Sequence, residues 1–177
     1  TTAWGHLDYL IIDNPPGTGG VAQAIAANAP LHGAVVVTTP SSLATVDVVR
    51  GVRMLQRLRV PVLALVENMA SFKCGGCGQI HFPFGQGHVR DVLASIGRDE
   101  SSVLSISLPI VPNASAPTTP RAVSDPSSPM AREFHTLAAS LEQALLARPT
   151  SVSLPHELRL DERPHWPTEI AVAEASL

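Results

Sequence analysis

The sequence has 177 residues, 45% of them hydrophobic, and a formal net charge of −3. That length and apolar share suit one compact α/β domain. The lack of any Lys/Arg block argues against a nucleic-acid partner, and no apolar run approaches the roughly 18 residues of a membrane span.

Thr1-Thr2-Ala3-Trp4 shows neither a signal or transit pattern nor an initiating Met, so the sequence reads as a piece of something longer. Leu7-Asp8-Tyr9-Leu10-Ile11-Ile12-Asp13 is a short, nearly all-apolar run that ends in an acid. Such a run predicts a strand buried on both faces of a parallel sheet. It leads into Asn14-Pro15-Pro16-Gly17-Thr18-Gly19-Gly20, where the prolines fix the exit path and the glycines let backbone N–H groups approach a phosphate. Ligands of open α/β sheets collect at the carboxyl ends of the strands. Asp13 is therefore placed where a carboxylate can hold Mg²⁺ through its water shell.

Val21 to Asn28 is Ala-rich and predicts a helix that ends before Pro30, and Gly33 to Thr39 predicts a second buried strand. Pro40-Ser41-Ser42 offers a turn and an N-cap for a helix from about Leu43 to Leu58, with Val48, Val52 and Leu55 on one face. Pro61 to Asn68 predicts a third strand, ending in polar groups at the functional edge, where the Asn68 amide can offer both donor and acceptor to a base. A Gly- and Cys-containing excursion from about Met69 to Gly87 follows, then a short helix near His88 to Ile96. Val103 to Leu108 is a fourth candidate strand, and Val111 to Ser128 reads as a surface loop. Ser128-Pro129 opens a last helix with Phe134, Leu137, Leu141 and Leu145 as its buried stripe. Asp47 and Arg50, one turn apart, read as a weak surface ion pair. From Pro149 onward, scattered prolines and charges suggest a poorly ordered tail or linker. The alternation of strands and helices predicts an α/β fold, a mostly parallel sheet with crossover helices.

Two cysteines make no disulfide framework, and a reducing compartment is expected. Cys74 and Cys77 flank Gly75-Gly76 in a turn that lets both thiolates point the same way, a spacing familiar from zinc knuckles and iron–sulfur sites. Two thiolates do not complete a shell of about four ligands. The rest must come from histidines, a small molecule, or the same pair on another subunit, as a two-fold dimer would supply. A structural half-site for zinc and a redox-active dithiol are the other readings. His81 lies close by, but a lone His is more often a surface residue and stays outside the ligand set.

Leu7 to Asp13 with Pro15-Pro16-Gly17-Thr18-Gly19 resembles the Walker B and switch II region of the Mrp/ApbC-type iron–sulfur carriers, which are MinD-like, deviant-Walker P-loop ATPases. Val35 to Pro40, Asp47 with Arg50-Gly51, Val60-Pro61-Val62, Val66 to Met69, Phe72, Cys74 to Gly78, and Phe84-Gly85-x-Gly87 continue the match in order. The resemblance covers about Trp4 to Leu146. It implies a P-loop NTPase fold of the MinD/ParA-like type, incomplete at the N-terminus. Residues 1–148 would be the C-terminal portion of the ATPase domain and 149–177 a tail. The family's phosphate-binding loop would lie upstream, and without it ATP binding should be weak or nil.

The resemblance further implies an ATP-dependent iron–sulfur carrier or scaffold. Cys74 and Cys77 would hold one labile 4Fe-4S cluster bridged between two subunits of a homodimer, for delivery to apo iron–sulfur proteins. Asp13 would be the magnesium-side catalytic carboxylate, Gly17, Thr18 and Gly19 the nucleotide-sensing loop, and Asn68 the reader of the base of ATP. The family usually has Asp where Gly20 stands and an apolar residue where Asn14 stands, a departure that would slow hydrolysis. Cytosol is the expected location, or an organellar stroma or matrix given an upstream targeting segment. A MinD/ParA-type positioning ATPase, or a non-hydrolysing module with structural zinc, is the alternative. The mixed charges and prolines of the tail fit neither a membrane-binding nor a DNA-binding surface.

Overall fold

The computed structural model describes residues 6–86, 88–98, 103–111, 120–147 and 170–176, the last stretch as backbone only. The strands are β1 (Tyr9–Asn14), β2 (Gly33–Thr38), β3 (Val62–Lys73), β4 (Ile80–His81), β5 (Leu104–Ile110) and β6 (Ile170–Ser176). They form one sheet in the order β1-β6-β2-β3-β4, with β5 paired to β3. Every pairing is parallel except the short antiparallel contact of β3 with β4. Parallel neighbours need crossover connections, and helices α1 (Gly20–Asn28) and α2 (Ser42–Arg57) supply them from β1 to β2 and from β2 to β3. The architecture is the α/β fold expected from the alternating pattern.

Both faces of the central strands are covered, which is why those strands are so uniformly apolar. On one face Val36 and Leu65 pack with Ala26 of α1, Val48, Val52 and Leu55 of α2, and Val92 and Leu93 of α3 (His88–Ser95). On the other, Val35, Val66, Ile106 and Leu108 pack with Leu145 of α5 (Pro129–Leu146). β2 and β3 approach closely where Gly33 faces Leu63, since a Cβ at Gly33 would run into the Leu63 side chain.

Helix α5 opens as expected, with the Ser128 hydroxyl accepting a hydrogen bond from the Ala131 N–H at 3.1 Å. Its buried stripe keeps Leu137, Leu141 and Leu145 but not Phe134, which is 41% exposed. Near that end of the helix the buried contact is the small side chain of Ala131 instead. Ser41 takes the N-cap position of α2 without a side-chain capping bond.

Four stretches differ from the sequence-based expectation. β1 is a strand as expected but is not buried on both faces, because it stands at the border of the sheet, where Tyr9 and Ile11 are 42% and 66% exposed. β3 continues past Asn68 to Lys73, because its end pairs with β4 at Phe72↔His81 and Lys73↔Ile80. The Pro-, Ser- and Thr-rich stretch contains a single helical turn, α4 (Arg121–Ser124), while residues 112–119 of it lie outside the described residues. The expected tail is not linker throughout, since its residues Ile170–Ser176 form β6. β6 sits between β1 and β2 and satisfies the backbone groups that two facing strand edges would leave unpaired.

Candidate functional site

The carboxyl ends of β1, β2, β3 and β5 point to one edge of the sheet, and the polar residues named from the sequence lie along it. Asp13, next to last in β1, is exposed. Asn14 behind it is buried, and its side-chain oxygen has no hydrogen-bond partner. The turn that follows needs glycine at Gly17, whose φ is +84°. Gly19 is the N-cap of α1, and the Thr18 carbonyl accepts from Gln23 Nε2 at 2.8 Å, which ties the loop to the helix it opens. A Cβ at Gly20 would meet open space. A loop ending at a helix N-terminus presents backbone N–H groups and partial positive charge to an anion.

Asn68 lies at the far end of the same edge. Through β6, Asp13 shares a rung with Val35 and Ala64, and Asn68 is four residues further along β3. At about 3.3 Å per residue and 4.8 Å per strand the two backbones are about 20 Å apart. They therefore mark the two ends of a long crevice and do not form one compact pocket. Asn68 Oδ1 accepts the Met69 N–H at 2.9 Å, which sets the amide plane and leaves Nδ2 and a second lone pair for a ligand. Met69 itself has φ of +58°, at the register shift between Glu67 and Ser71 where β3 slips against β5.

The sequence reading did not single out Glu67. Its carboxylate shares a rung with Thr38 on β2 and Ser107 on β5, and it is only 7% exposed. Glu67 Oε2 accepts from the Ser107 hydroxyl at 3.4 Å, while Oε1 has no partner. The available signal was an acid following four buried apolar residues in one strand.

Past Asn68, β3 leads directly into the cysteine loop. The Cys74 N–H donates to the Gln79 carbonyl at 2.8 Å, and the Gly78 N–H donates to the Cys74 carbonyl at 2.9 Å, closing a tight hairpin turn. Gly78 has φ of +73°, a conformation that favours glycine. Both thiols are free, Cys74 half-buried and Cys77 exposed. The backbone N–H groups of Cys77 and then Gly76 hydrogen-bond to the Cys74 sulfur, with a smaller contribution from the Cys77 thiol, and together they hold the Cys74 thiol below its ordinary pKa. Stabilised thiolates bind soft metals and iron–sulfur clusters. No group of three or more His, Cys, Asp or Glu side chains suited to a metal exists among the described residues, so the two thiols are half a ligand shell. His81 instead faces the Phe72 ring, with centroids 6.4 Å apart.

Asp47 and Arg50 pair at 3.4 Å with both side chains more than half exposed, as a surface ion pair does. A cavity of about 210 Å³, lined by Gln56, Arg59, Ile96 and Arg98 among others, lies near the starts of β3 and β5, away from the candidate residues.

A model of the ParA family, described as NUBPL iron-transfer P-loop NTPase, matches residues 1–142. The chain is 45% identical over 146 residues to the chloroplastic Fe-S cluster assembly factor HCF101 of Arabidopsis thaliana, covering 81% of this chain and 26% of that protein. It is 39% identical to the iron-sulfur cluster carrier protein of Pseudomonas fragi over 81% of this chain and 50% of that one. Against the iron-sulfur cluster transfer protein NUBPL of Dictyostelium discoideum the identity is 38%, over 81% and 44%. The chain thus spans between about a quarter and a half of these relatives. Among solved structures, a nucleotide-binding protein from Archaeoglobus fulgidus in complex with ADP is similar, at TM-score 0.51 and 36% identity, over 62% of this chain and 44% of that one.

Proposed function

We propose that this chain, which belongs to the ParA-type family of NUBPL iron-transfer P-loop NTPases, carries iron–sulfur clusters to apo-proteins, holding its cargo on Cys74 and Cys77. The observation that carries the reading is the cysteine loop. It offers two thiols on one tight turn, backbone N–H groups on the Cys74 sulfur, and no third ligand among the described residues. A half shell of soft ligands binds a cluster only together with another molecule, and so can release it, which suits a carrier better than a permanent structural site. In this reading the cluster is of the 4Fe-4S type, bridged between two copies of the chain.

The carboxyl edge is the nucleotide side of the machine. Asp13 would hold the water shell of Mg²⁺, Gly17, Thr18 and Gly19 would sense the phosphates of ATP, and Asn68 would read the base. Mg²⁺ supplies charge neutralisation to phosphoryl transfer, and the protein supplies positioning. The single lysine of the sequence is Lys73, and it precedes Cys74. No Gly-Lys-Ser/Thr loop is therefore present in these residues, and nucleotide affinity of the chain by itself is expected to be weak. With Gly20 in place of an acid, slow hydrolysis is the corresponding expectation for the assembled ATPase. No helix among the described residues is long and apolar enough to cross a membrane. Cytosol, or the stroma or matrix of an organelle, is the proposed setting.

Anaerobic reconstitution with iron and sulfide tests the carrier function. The loaded chain should develop the visible absorption of a cluster, pass it to an apo iron–sulfur acceptor, and lose both properties in Cys74→Ala and Cys77→Ala. A chain that stays colourless but binds zinc with the same two cysteines would replace the carrier with a structural metal module.

A further inference from the structure

The cavity of about 210 Å³ at the starts of β3 and β5 has no part in the nucleotide edge or the cysteine loop. Val52, Val60 and Val103, all buried, form part of its wall, and the exposed side chains of Gln56, Arg59 and Arg98 stand around it. No described acid lines it. Helices α2 and α3 both end here, and their last carbonyls already have donors. The N–H groups of Leu58, Val60 and Arg59 donate to the Met54, Leu55 and Gln56 carbonyls, and those of Arg98 and Gly97 to Leu93 and Ala94. Arg53 donates to the Ser95 carbonyl at 3.2 Å. Arg59 and Arg98 are therefore not spent on capping. Among the described residues neither guanidinium has a hydrogen-bond or ion-pair partner. Arg59 is also held at φ of +60°, where the equivalent turn after α3 uses Gly97 at +69°. Glycine takes this conformation at no steric cost, so a side chain kept at 59 stands against the backbone preference.

We infer that this cavity binds a small organic acid, with its carboxylate paired to Arg59 and Arg98 and its carbon body seated on Val52, Val60 and Val103. The site stands apart from the cluster reading and does not depend on it. Guanidinium groups pair with carboxylates through two parallel N–H···O bonds, and the Gln56 amide adds a donor. A benzene ring fits a cavity of about 150 Å³, so the 210 Å³ here takes one ring with its acid group but not a nucleotide. The apolar wall supplies affinity for the ring, and two unpaired cations select the acid over its neutral analogue. Arg59 lies on the turn from α2 to β3, and Arg98 follows α3. A bound acid therefore ties the ends of the two helices together.

Amide NMR on the metal-free full chain, titrated with benzoate, tests this. Shifts are expected at Val52, Val60 and Val103, saturating below about 10 mM. Benzamide, the neutral isostere, should give none at that concentration, and acetate, which lacks the ring, should bind more weakly. Arg59→Gly should weaken benzoate binding at least about tenfold. The melting temperature of its free form should stay level or rise, because glycine suits the backbone at 59. Arg98→Gln should weaken binding by a similar factor, and it provides the same readout should the first variant fail to fold. Wild-type chain without saturable shifts, benzamide that binds as well as benzoate, or variants that bind at wild-type strength would overturn the site. Binding gained only in Asp99→Asn/Glu100→Gln, the acids that follow Arg98 in sequence, would overturn it as well, since the chain itself would then already occupy the two arginines.

Discussion

Asn68 and Cys74 are joined by one strand: β3 carries Asn68 and continues to Lys73, the residue just before the first thiol. Between them the regular conformation is interrupted at Met69, in the left-handed region. The Asn68 end of the crevice and the cysteine turn are thus joined by six residues of backbone with one strained link.

That link can be tested directly. A non-glycine residue in this region costs about 1–2 kcal/mol, and glycine avoids the penalty. Met69→Gly should leave stability unchanged or raise it by up to about 1 kcal/mol, and Met69→Val should lower it by more than about 1 kcal/mol. Urea denaturation of the metal-free chain measures both.

The Cys74 thiol should ionise at lower pH than an ordinary cysteine. Because its first two causes are backbone N–H groups of Cys77 and Gly76, Cys77→Ala should keep most of the effect. A folded value below the unfolded one adds stability that is fully present above the ordinary thiol pKa of about 8.5. That stability is lost as pH falls through the lowered folded value. Alkylation rate against pH, read by mass spectrometry at each cysteine, checks the order of reactivity.

Gly33 should not tolerate a side chain. Gly33→Ala would press a methyl group into Leu63, and overpacking of this kind costs about 1–3 kcal/mol. Leu63→Ala creates space at the same place, so the double variant should be more stable than the two single losses predict when summed. A double-mutant cycle by chemical denaturation gives the coupling.

β1 should depend on β6. The register joins β1 to the rest of the sheet through Ile170–Ser176, with β6 between it and β2. A chain ending at Glu169 should lose hydrogen-exchange protection at Ile11 and Ile12 while Leu65 and Val66, paired on β2 and β5, keep theirs. Unchanged protection at Ile11 would mean that β1 holds its place without β6.

Much of the fold was legible in advance, and the reason is two-sided burial. A strand covered on both faces must be apolar almost throughout, so Ala34 to Val37 and Leu63 to Val66 announced themselves, whereas the equally apolar Leu10 to Ile12 marked a strand at the border of the sheet whose Ile11 is 66% exposed. Val48, Val52 and Leu55 did the same for α2, at helical spacing. The carboxyl edge followed from where each run ended, and the cysteine turn from Gly75-Gly76. Glu67 was passed over because its meaning lies in neighbours some 30 to 40 residues away, Thr38 and Ser107. Phe134 misled because helical periodicity shows which side of α5 is apolar but not how far along the sheet that side is covered.

The sequence by itself determined the kind and order of most elements and the candidate residues for chemistry, since these follow from local periodicity, turn residues and the spacing of two thiols. Only the tertiary structure decided that a segment read as tail becomes a strand at the heart of the sheet. The same holds for the span of the edge between Asp13 and Asn68 and for the meeting of Arg59 and Arg98 at one cavity. Each depends on which strand edges and faces find partners, and a partner distant in the chain leaves no mark on the local pattern.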